Sequence, residues 1–430
     1  MKKTNSRKST KRYFLATFGC QMNISDSERI IHQLNKRGYQ QTPKMNNADI
    51  VFVNMCSIRK TAVDKVYGLI NKIDLLKSKN PHIETVLTGC FLETLEQKKL
   101  ISKFDFIKKR EDFFGTKEYL SLAPSRISSF RSYVPIMTGC NNFCSYCVVP
   151  YTRGREYSRS ADEIITEIRS LVREGYKEIW LLGQNVNSYQ GLYQKETIGF
   201  AKLLALINSL EGDFWLYFTT SHPKDLSDEL IETVARCHKI GSYFNLPVQS
   251  GDNSVLKEMN RPYRISEYKN KVKKLRIAFL KHHTGLERYL SLSTDIIVGF
   301  PNETEKRFER TVQLMEEIGF DMAYISRYSP RPLTSAFRLK DKISNCEKKR
   351  REQILNDILR KTALKNNLIY LNKIIPVLVD KEDKKANISF GRTKSHKNVL
   401  INNCPKNIVG QIINVKIKKV GSWRLIGDAK

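Results

Sequence analysis

The sequence predicts an α/β protein in three parts: an N-terminal small parallel βα sheet domain, a central open (β/α)6 partial barrel, and a C-terminal small β-barrel. Length comes first, since 430 residues at roughly 150 per domain leave room for two or three cores. Short β-branched and aromatic runs alternate with helix-length polar stretches over most of the chain. Charge divides the chain the same way. Residues 131–340 hold 29 basic against 24 acidic side chains, whereas 1–130 hold 24 against 12 and 371–430 hold 13 against 4. A nearly neutral middle between basic flanks marks a central domain with different work.

In the first part, runs at 13–18, 50–53 and 85–87 read as strands and form a βα pattern. The serine-rich segment 121–132, with Pro124 inside it, reads as a linker. Six further strand-like runs follow at 134–137, 179–182, 214–218, 243–246, 292–298 and 322–328. Between the first two, 162–173 places Ile164, Ile165, Ile168, Leu171 and Val172 at helical spacing. Six such units suit an open βα barrel, with functional residues expected at the carboxyl ends of the strands. A charged helical segment, 346–373, leads to β-rich runs at 376–379 and 412–417, which suit a small barrel. The expected boundaries are a basic disordered tail at 1–12, domains at 13–122 and 133–340 about a linker at 123–132, a helical connector at 341–372, and the barrel at 373–430.

Composition excludes other classes. Hydrophobic residues make up 40% and charged residues 27%, as in a soluble globular protein, and no apolar run approaches the roughly 18 residues of a membrane span. The start, MKKTNSRKSTKR, is basic without an apolar h-region, so a cytoplasmic protein is expected, its nine cysteines present as thiols. The formal net charge of +30 argues for a polyanionic partner, most simply nucleic acid. No GxGxxG loop, Ser-His-Asp set or HExxH motif is present.

Residues 140–147 read CNNFCSYC, so Cys140, Cys144 and Cys147 form a C-x3-C-x2-C array just after a strand. Three thiolates on one loop can face a single metal site. A structural zinc needs four closed ligands and would have to find one at a distance; three thiolates hold a [4Fe–4S] cluster and leave one iron open. Cys20, Cys56 and Cys90 end the runs YFLATFGC, DIVFVNMC and ETVLTGC, each just past a predicted strand. In a parallel sheet those ends share one edge, so residues about 35 apart in sequence converge into a second three-cysteine site. Cys237, Cys346 and Cys404 belong to neither set.

CNNFCSYCVVPYTRGRE resembles the signature loop of the radical S-adenosylmethionine (SAM) enzymes, and the longer chain resembles their methylthiotransferase subfamily. The likeness takes in TFGCQMNISDSER, EIWLLGQNVNSY at 178–189, NLPVQSGDNSVLKEMNRPY at 245–263 and STDIIVGFPNET at 293–304. GRTKSHKNVL at 391–400 resembles the small TRAM RNA-binding barrel. The GCQMN and GQNVNSY forms are most like the MiaB-type tRNA methylthiotransferases. The sequence departs from the pattern at Asn245, where histidine is usual, and at Asn302 and Leu333, where glycine is usual.

The resemblance implies two [4Fe–4S] clusters and SAM as cofactors. Cys140, Cys144 and Cys147 would carry the cluster that binds and reductively cleaves SAM; Cys20, Cys56 and Cys90 would carry a second, holding the sulfur to be methylated. A radical suits the reaction, because the hydrogen on carbon two of an adenine is not acidic. Tyr146 would lie near the SAM adenine, Gly183 and Gln184 near its amino acid group, and Gln249 and Asp295 would bond cofactor or substrate. Arg153 and Arg155 follow the loop, toward either RNA phosphate or a surface ion pair. Lys394, Lys397, Lys416, Lys418 and Lys419 would contact phosphate. The implied substrate is isopentenylated adenosine beside the anticodon, with the tRNA anticodon stem-loop as partner, a flavodoxin or ferredoxin as electron donor, a sulfur source not specified, and a monomeric chain. Two other readings stay open: a sister enzyme acting on threonylcarbamoyl adenosine or a ribosomal protein aspartate, and a non-catalytic RNA-binding protein with structural metal.

Overall fold

The structure, a computed structural model, describes residues 10–57, 60–92, 95–109, 113 and 117–430; most of the predicted basic tail lies outside them. The chain divides into two compact units, Met1–Ile127 with Val148–Arg159, and Ser128–Cys147 with Ser160–Lys430.

The first unit is built on five parallel strands in the order Gln40–Gln41, Arg12–Phe18, Ile50–Cys56, Glu84–Cys90, Phe106–Ile107. Alternate residues of the middle strand go to opposite faces. Val51, Val53 and Met55 pack with Val66, Ile70 and Ile73 of the helix Lys60–Lys79, while Ile50 and Phe52 pack with Tyr13, Ile30 and Leu34. Two strands outrun their predicted apolar cores, ending at Cys56 and Cys90. The polar Asn54 fits inside because its side-chain amide donates to the Asn23 carbonyl and the Ser27 hydroxyl, both at 2.9 Å, which removes the cost of burying it. The predicted linker is fastened: the Ser125 N–H donates to the Glu28 carbonyl at 2.9 Å and the Ile127 N–H to its carboxylate at 3.1 Å. Regular strand resumes at Arg131.

In the second unit, two three-stranded parallel sheets follow chain order: Arg131–Pro135, Glu178–Leu182, Trp215–Phe218, then Tyr243–Asn245, Ser291–Val298, Met322–Arg327. A parallel bridge from Leu216 to Ile240 joins them. Among the described residues no ladder joins the first strand to the sixth, so the barrel is open as predicted. The helix Ala161–Arg173 buries Ile164, Ile165, Ile168 and Leu171 against it. The charged helix Asn345–Asn367, capped by Ser344, adds Leu355 and Leu359 to the same core.

Five strands, Ile374–Asp383, Ile388–Thr393, Asn398–Asn402, Leu425–Ala429 and Ile412–Val420, close the terminal barrel around Val377, Val379, Val399, Ile401, Val415 and Ile417. It is bolted to the larger barrel by ion pairs: Arg131 to both Glu178 and Asp380 at 2.5 Å, Lys394 to Glu287 at 2.9 Å, and Lys397 to Asp321 at 2.5 Å. His396 sits among Trp180, Tyr217 and Tyr243 at ring separations of 5.1, 5.8 and 4.8 Å. Among the described residues no helix is long and apolar enough to cross a membrane.

Candidate functional site

In the first unit, topology assembles the cysteines. Parallel pairing sets Cys56 directly opposite Cys90, and Phe18 opposite Met55, so Cys20 follows the neighbouring strand two residues past its paired end. Cys56 and Cys90 are therefore the last residues of their strands rather than the residues beyond them. Cys20 caps the helix Gln21–Lys36, where Asn23 secures it: the Asn23 side-chain oxygen accepts from the Cys20 N–H and lies 3.3 Å from its Sγ, while its amide donates to Asn54 and to the Met55 carbonyl. Two glycines permit the crowding. Gly89 has φ +112°, and a Cβ there would lie 2.2 Å from the Met55 carbonyl oxygen; one on Gly19 would lie 2.4 Å from the Asn23 side chain. Both backbones need glycine at that approach.

Arg153 joins this site. Its guanidinium donates to the Asp26 carboxylate at 2.8 Å, with both side chains almost wholly buried. Burial works against its charge, but the Asp26 carboxylate beside it holds the guanidinium charged. It is therefore neither a phosphate contact nor a surface ion pair, the two outcomes expected for it; Arg155 is exposed. Among the described residues of this unit, five buried polar atoms have no hydrogen-bond partner: Arg153 Nη1, Asp26 Oδ1, Arg29 Nε, and the hydroxyls of Ser57 and Thr88.

In the second unit, one loop carries the other three cysteines, and the segment 258–261 clamps it. The Ser145 N–H donates to the Met259 carbonyl and its hydroxyl to that of Glu258, at 2.9 and 2.8 Å. The Asn260 amide donates to the carbonyls of Asn142 and Phe143. Arg261, 5% exposed, places Nη1 3.6 Å from Cys144 Sγ and 3.4 Å from the Tyr146 hydroxyl, while Nη2 holds the Pro247 carbonyl at 2.7 Å and Nε the Tyr263 hydroxyl at 2.6 Å. A charged donor thus faces the Cys144 sulfur. Nothing in the NRPY run marks Arg261 for this role, because a lone arginine near a tyrosine carries no signal until the loop is folded against it.

The remaining predicted residues divide. Tyr146 packs against Val255, Met259, Phe300 and Tyr328, and burial raises its hydroxyl pKa well above the usual value. Gly183 is required by packing, since a Cβ would meet Met137 at 2.5 Å. Gln184 is already engaged: its side-chain oxygen accepts from the Gly139 N–H at 2.7 Å, next to Cys140. Gln249 lies beyond its strand with φ +71° and bridges to Ile296. Asp295 lies within its strand, not at the end, and accepts from Asn245 at 3.3 Å. Asn245 also donates to the Ser293 hydroxyl at 3.0 Å, so the departure from histidine leaves no polar gap. Asn302 and Leu333 both sit at positive φ, +66° and +70°, which explains why glycine suits those positions.

Of the five barrel lysines, Lys394, Lys397 and Lys418 are held by Glu287, Asp321 and Asp428, a correction to their expected phosphate role. Lys416 is half-buried and Lys419 exposed. Elsewhere on this barrel a cavity of about 310 Å³ is lined by Phe390, Arg392, Asn398, Trp423 and Arg424, with Arg424 over the Phe390 ring and Trp423 exposed. Arg392 is held by Asp380 at 3.1 Å, while the exposed Trp423 beside Arg424 suits an unpaired base. The lysine count pointed away from it.

As placed, no three His, Cys, Asp or Glu side chains among the described residues stand together to hold a metal ion. Sulfur ligands of one tetrahedral ion would lie about 3.8 Å apart, whereas a four-iron cube spreads its ligands over several irons. The donor sets fit such a group chemically: three thiols each, an N–H beside Cys144, and orphaned buried polar atoms in the unit that carries Cys20, Cys56 and Cys90.

Comparison with known proteins agrees with this architecture. The family model of the radical SAM superfamily matches residues 134–315, that of an uncharacterized protein family, UPF0004, residues 12–108, and that of the TRAM domain residues 369–430. The protein is thus a radical SAM protein with a TRAM barrel, of a superfamily that uses SAM and a [4Fe–4S] cluster. Curated relatives sharpen this. The tRNA-2-methylthio-N(6)-dimethylallyladenosine synthases of Clostridium botulinum (strain Hall) and Clostridium novyi (strain NT) are each 40% identical over 97% of this chain and 96% of theirs; that of Acetivibrio thermocellus is 38% identical over 100% and 94%. The chain belongs to this family of radical SAM methylthiotransferases. Among solved structures, the radical SAM methyltransferase TsrM of Kitasatospora setae matches with a TM-score of 0.52 at 13% identity, over 76% of this chain and 77% of that one, a likeness of fold.

Proposed function

We propose that this protein adds a methylthio group to carbon two of isopentenyladenosine beside the anticodon of tRNA, using SAM and two [4Fe–4S] clusters. The observation that carries the reading is the presence of two separate three-cysteine sets, one on a loop and one on a sheet edge, in a chain that ends in a TRAM barrel. In this reading Cys140, Cys144 and Cys147 ligate the SAM-binding cluster and Cys20, Cys56 and Cys90 the second, each with one iron left open. The clusters supply the electron for SAM cleavage and the site where sulfur is held.

The chain's own residues do the positioning. Arg261 and Asn260 fix the loop, with an Arg261 N–H facing Cys144 Sγ, Gln184 holds the backbone before Cys140, and Tyr146 keeps a neutral ring against the loop. Asn23 and Asn54 hold the Cys20 turn. The TRAM barrel binds RNA through Trp423, Arg424 and Lys419. The expected boundaries at 122, 132, 340 and 372 divide the work between them. Mass spectrometry of tRNA nucleosides from cells lacking the gene tests the reading: the methylthio nucleoside is expected to vanish and its isopentenyl precursor to accumulate. Persistence of the methylthio nucleoside overturns it.

A further inference from the structure

We infer that Arg153, anchored on Asp26, forms the recognition group for a sulfur anion, hydrosulfide or an alkanethiolate, at the site of Cys20, Cys56 and Cys90. The inference rests on the proposed function, in which those cysteines hold a cluster with an open iron.

The pair keeps hydrogen-bonding capacity in reserve on both partners. An orphaned donor in a dry interior costs about 1–3 kcal/mol, a cost that a bound anion would remove. Here Arg153 gives Nη2 to Asp26 and leaves Nη1 buried and unmatched, and Asp26 leaves Oδ1 unmatched as well. Asp26, which holds Arg153, is the sixth residue of the helix that Cys20 caps. The neighbouring Ser57 hydroxyl, next to Cys56, and the Thr88 hydroxyl, two residues before Cys90, are also buried without partners.

Thus Arg153 Nη1 and the Ser57 and Thr88 hydroxyls stay unmatched in the unit where, on the proposed function, an anionic ligand is received. Asp26 fixes the guanidinium without exhausting it, and its single negative charge cancels part of the attraction, which suits an anion that must also leave. Arginine presents a planar fork to its partners, which lysine does not. The segment Val148–Arg159 is in sequence the continuation of the loop that ends at Cys147, yet it belongs to the first unit, so the signature loop is followed directly by the residue that serves the other cysteine set.

The test uses the full chain, reconstituted anaerobically with iron and sulfide, carrying Cys140→Ala, Cys144→Ala and Cys147→Ala so that spectral changes come from the remaining set. Sodium methanethiolate and sodium sulfide are titrated separately, and binding is followed by electron paramagnetic resonance of the reduced protein. Arg153→Gln is expected to weaken at least one anion on the order of tenfold or more, as for a lost charge-assisted hydrogen bond, with iron content unchanged; the anion affected names the sulfur species. Asp26→Asn is expected to keep or tighten binding. A merely structural pair predicts that both variants weaken together, and that result, or wild-type affinity in Arg153→Gln, overturns the inference. If Arg153→Gln loses its iron, Arg153→Lys decides: retained iron with weaker binding supports the role, and lost iron overturns it. Absence of iron in the parent chain would instead sink the proposed second cluster, and the inference with it.

Discussion

On the proposed function, the two cysteine sets hold their clusters by opposite structural means. Cys140, Cys144 and Cys147 lie within eight residues, on a loop that the segment 258–261 clamps from outside. Cys20, Cys56 and Cys90 sit one on each of three neighbouring strand ends, and only the parallel register of those strands brings them together. The loop set depends on local spacing and one distant clamp. The edge set depends on the integrity of a whole sheet, so backbone errors there should cost more than comparable changes around the loop.

The largest effect should come from the cysteines themselves, and it separates the sets. Cys144→Ala is expected to abolish SAM cleavage, whereas Cys56→Ala should leave reductive SAM cleavage in place without tRNA while abolishing the methylthio product. Liquid chromatography of the SAM fragments and of digested tRNA checks both. Loss of SAM cleavage in Cys56→Ala would mean the two sites are not functionally separable.

Next in size is Gly89→Ala. The positive φ and the collision with the Met55 carbonyl predict a loss of about 2–4 kcal/mol, with iron lost from the edge set alone. Urea unfolding and iron analysis would show it; an unchanged midpoint would mean the strand end relaxes freely.

Arg261→Lys tests the loop's clamp. Losing the N–H beside Cys144 should lower the potential of the cluster on the loop by about 60 mV, the one-electron equivalent of about 1.4 kcal/mol, while leaving that of the edge set alone. A redox titration followed by paramagnetic resonance reads this directly.

A smaller effect concerns the bolted terminal barrel. Burial pushes the Glu287 carboxyl up, but hydrogen bonds from His283 and Lys394 bring it down to about 2 from an ordinary 4.5. A depressed carboxyl stabilises above its unfolded pKa and loses that contribution as pH falls from about 4.5 toward 2. Because the side chain is 41% exposed, screening limits the gain to under about 1 kcal/mol. Glu287→Gln should therefore lower thermal stability slightly at pH 7 and match wild type near pH 2; calorimetry across that range checks the sign.

The smallest effect is expected at Leu333, exposed and at φ +70°. Leu333→Gly should relieve left-handed strain at no packing cost, a net gain of about 0.5–1 kcal/mol once glycine's entropy is subtracted. A fall in melting temperature would contradict that account.

Much of the fold was legible because short apolar runs and their spacing are local properties. The six barrel strands appear within a few residues of their predicted places, and parallel pairing brings the ends of the strands that carry Cys56 and Cys90 side by side. What lay outside the sequence was pairing. Nothing in NRPY announces that Arg261 reaches Cys144, nor in YTRGRE that Arg153 reaches Asp26, 127 residues away. Lysine enrichment in the terminal barrel suggested a phosphate face, yet three of those lysines are drawn to carboxylates, two of them across to the larger barrel.

By itself, then, the sequence determined the element types, the three-part organisation and which thiols could act as sets, because hydrophobic periodicity and strand-end position are written residue by residue. The tertiary structure decided which charges are free and which are matched. Whether an arginine or lysine is a binding group or a bolt depends on the partner that folding brings to it, and burial makes that partner worth far more than any surface contact.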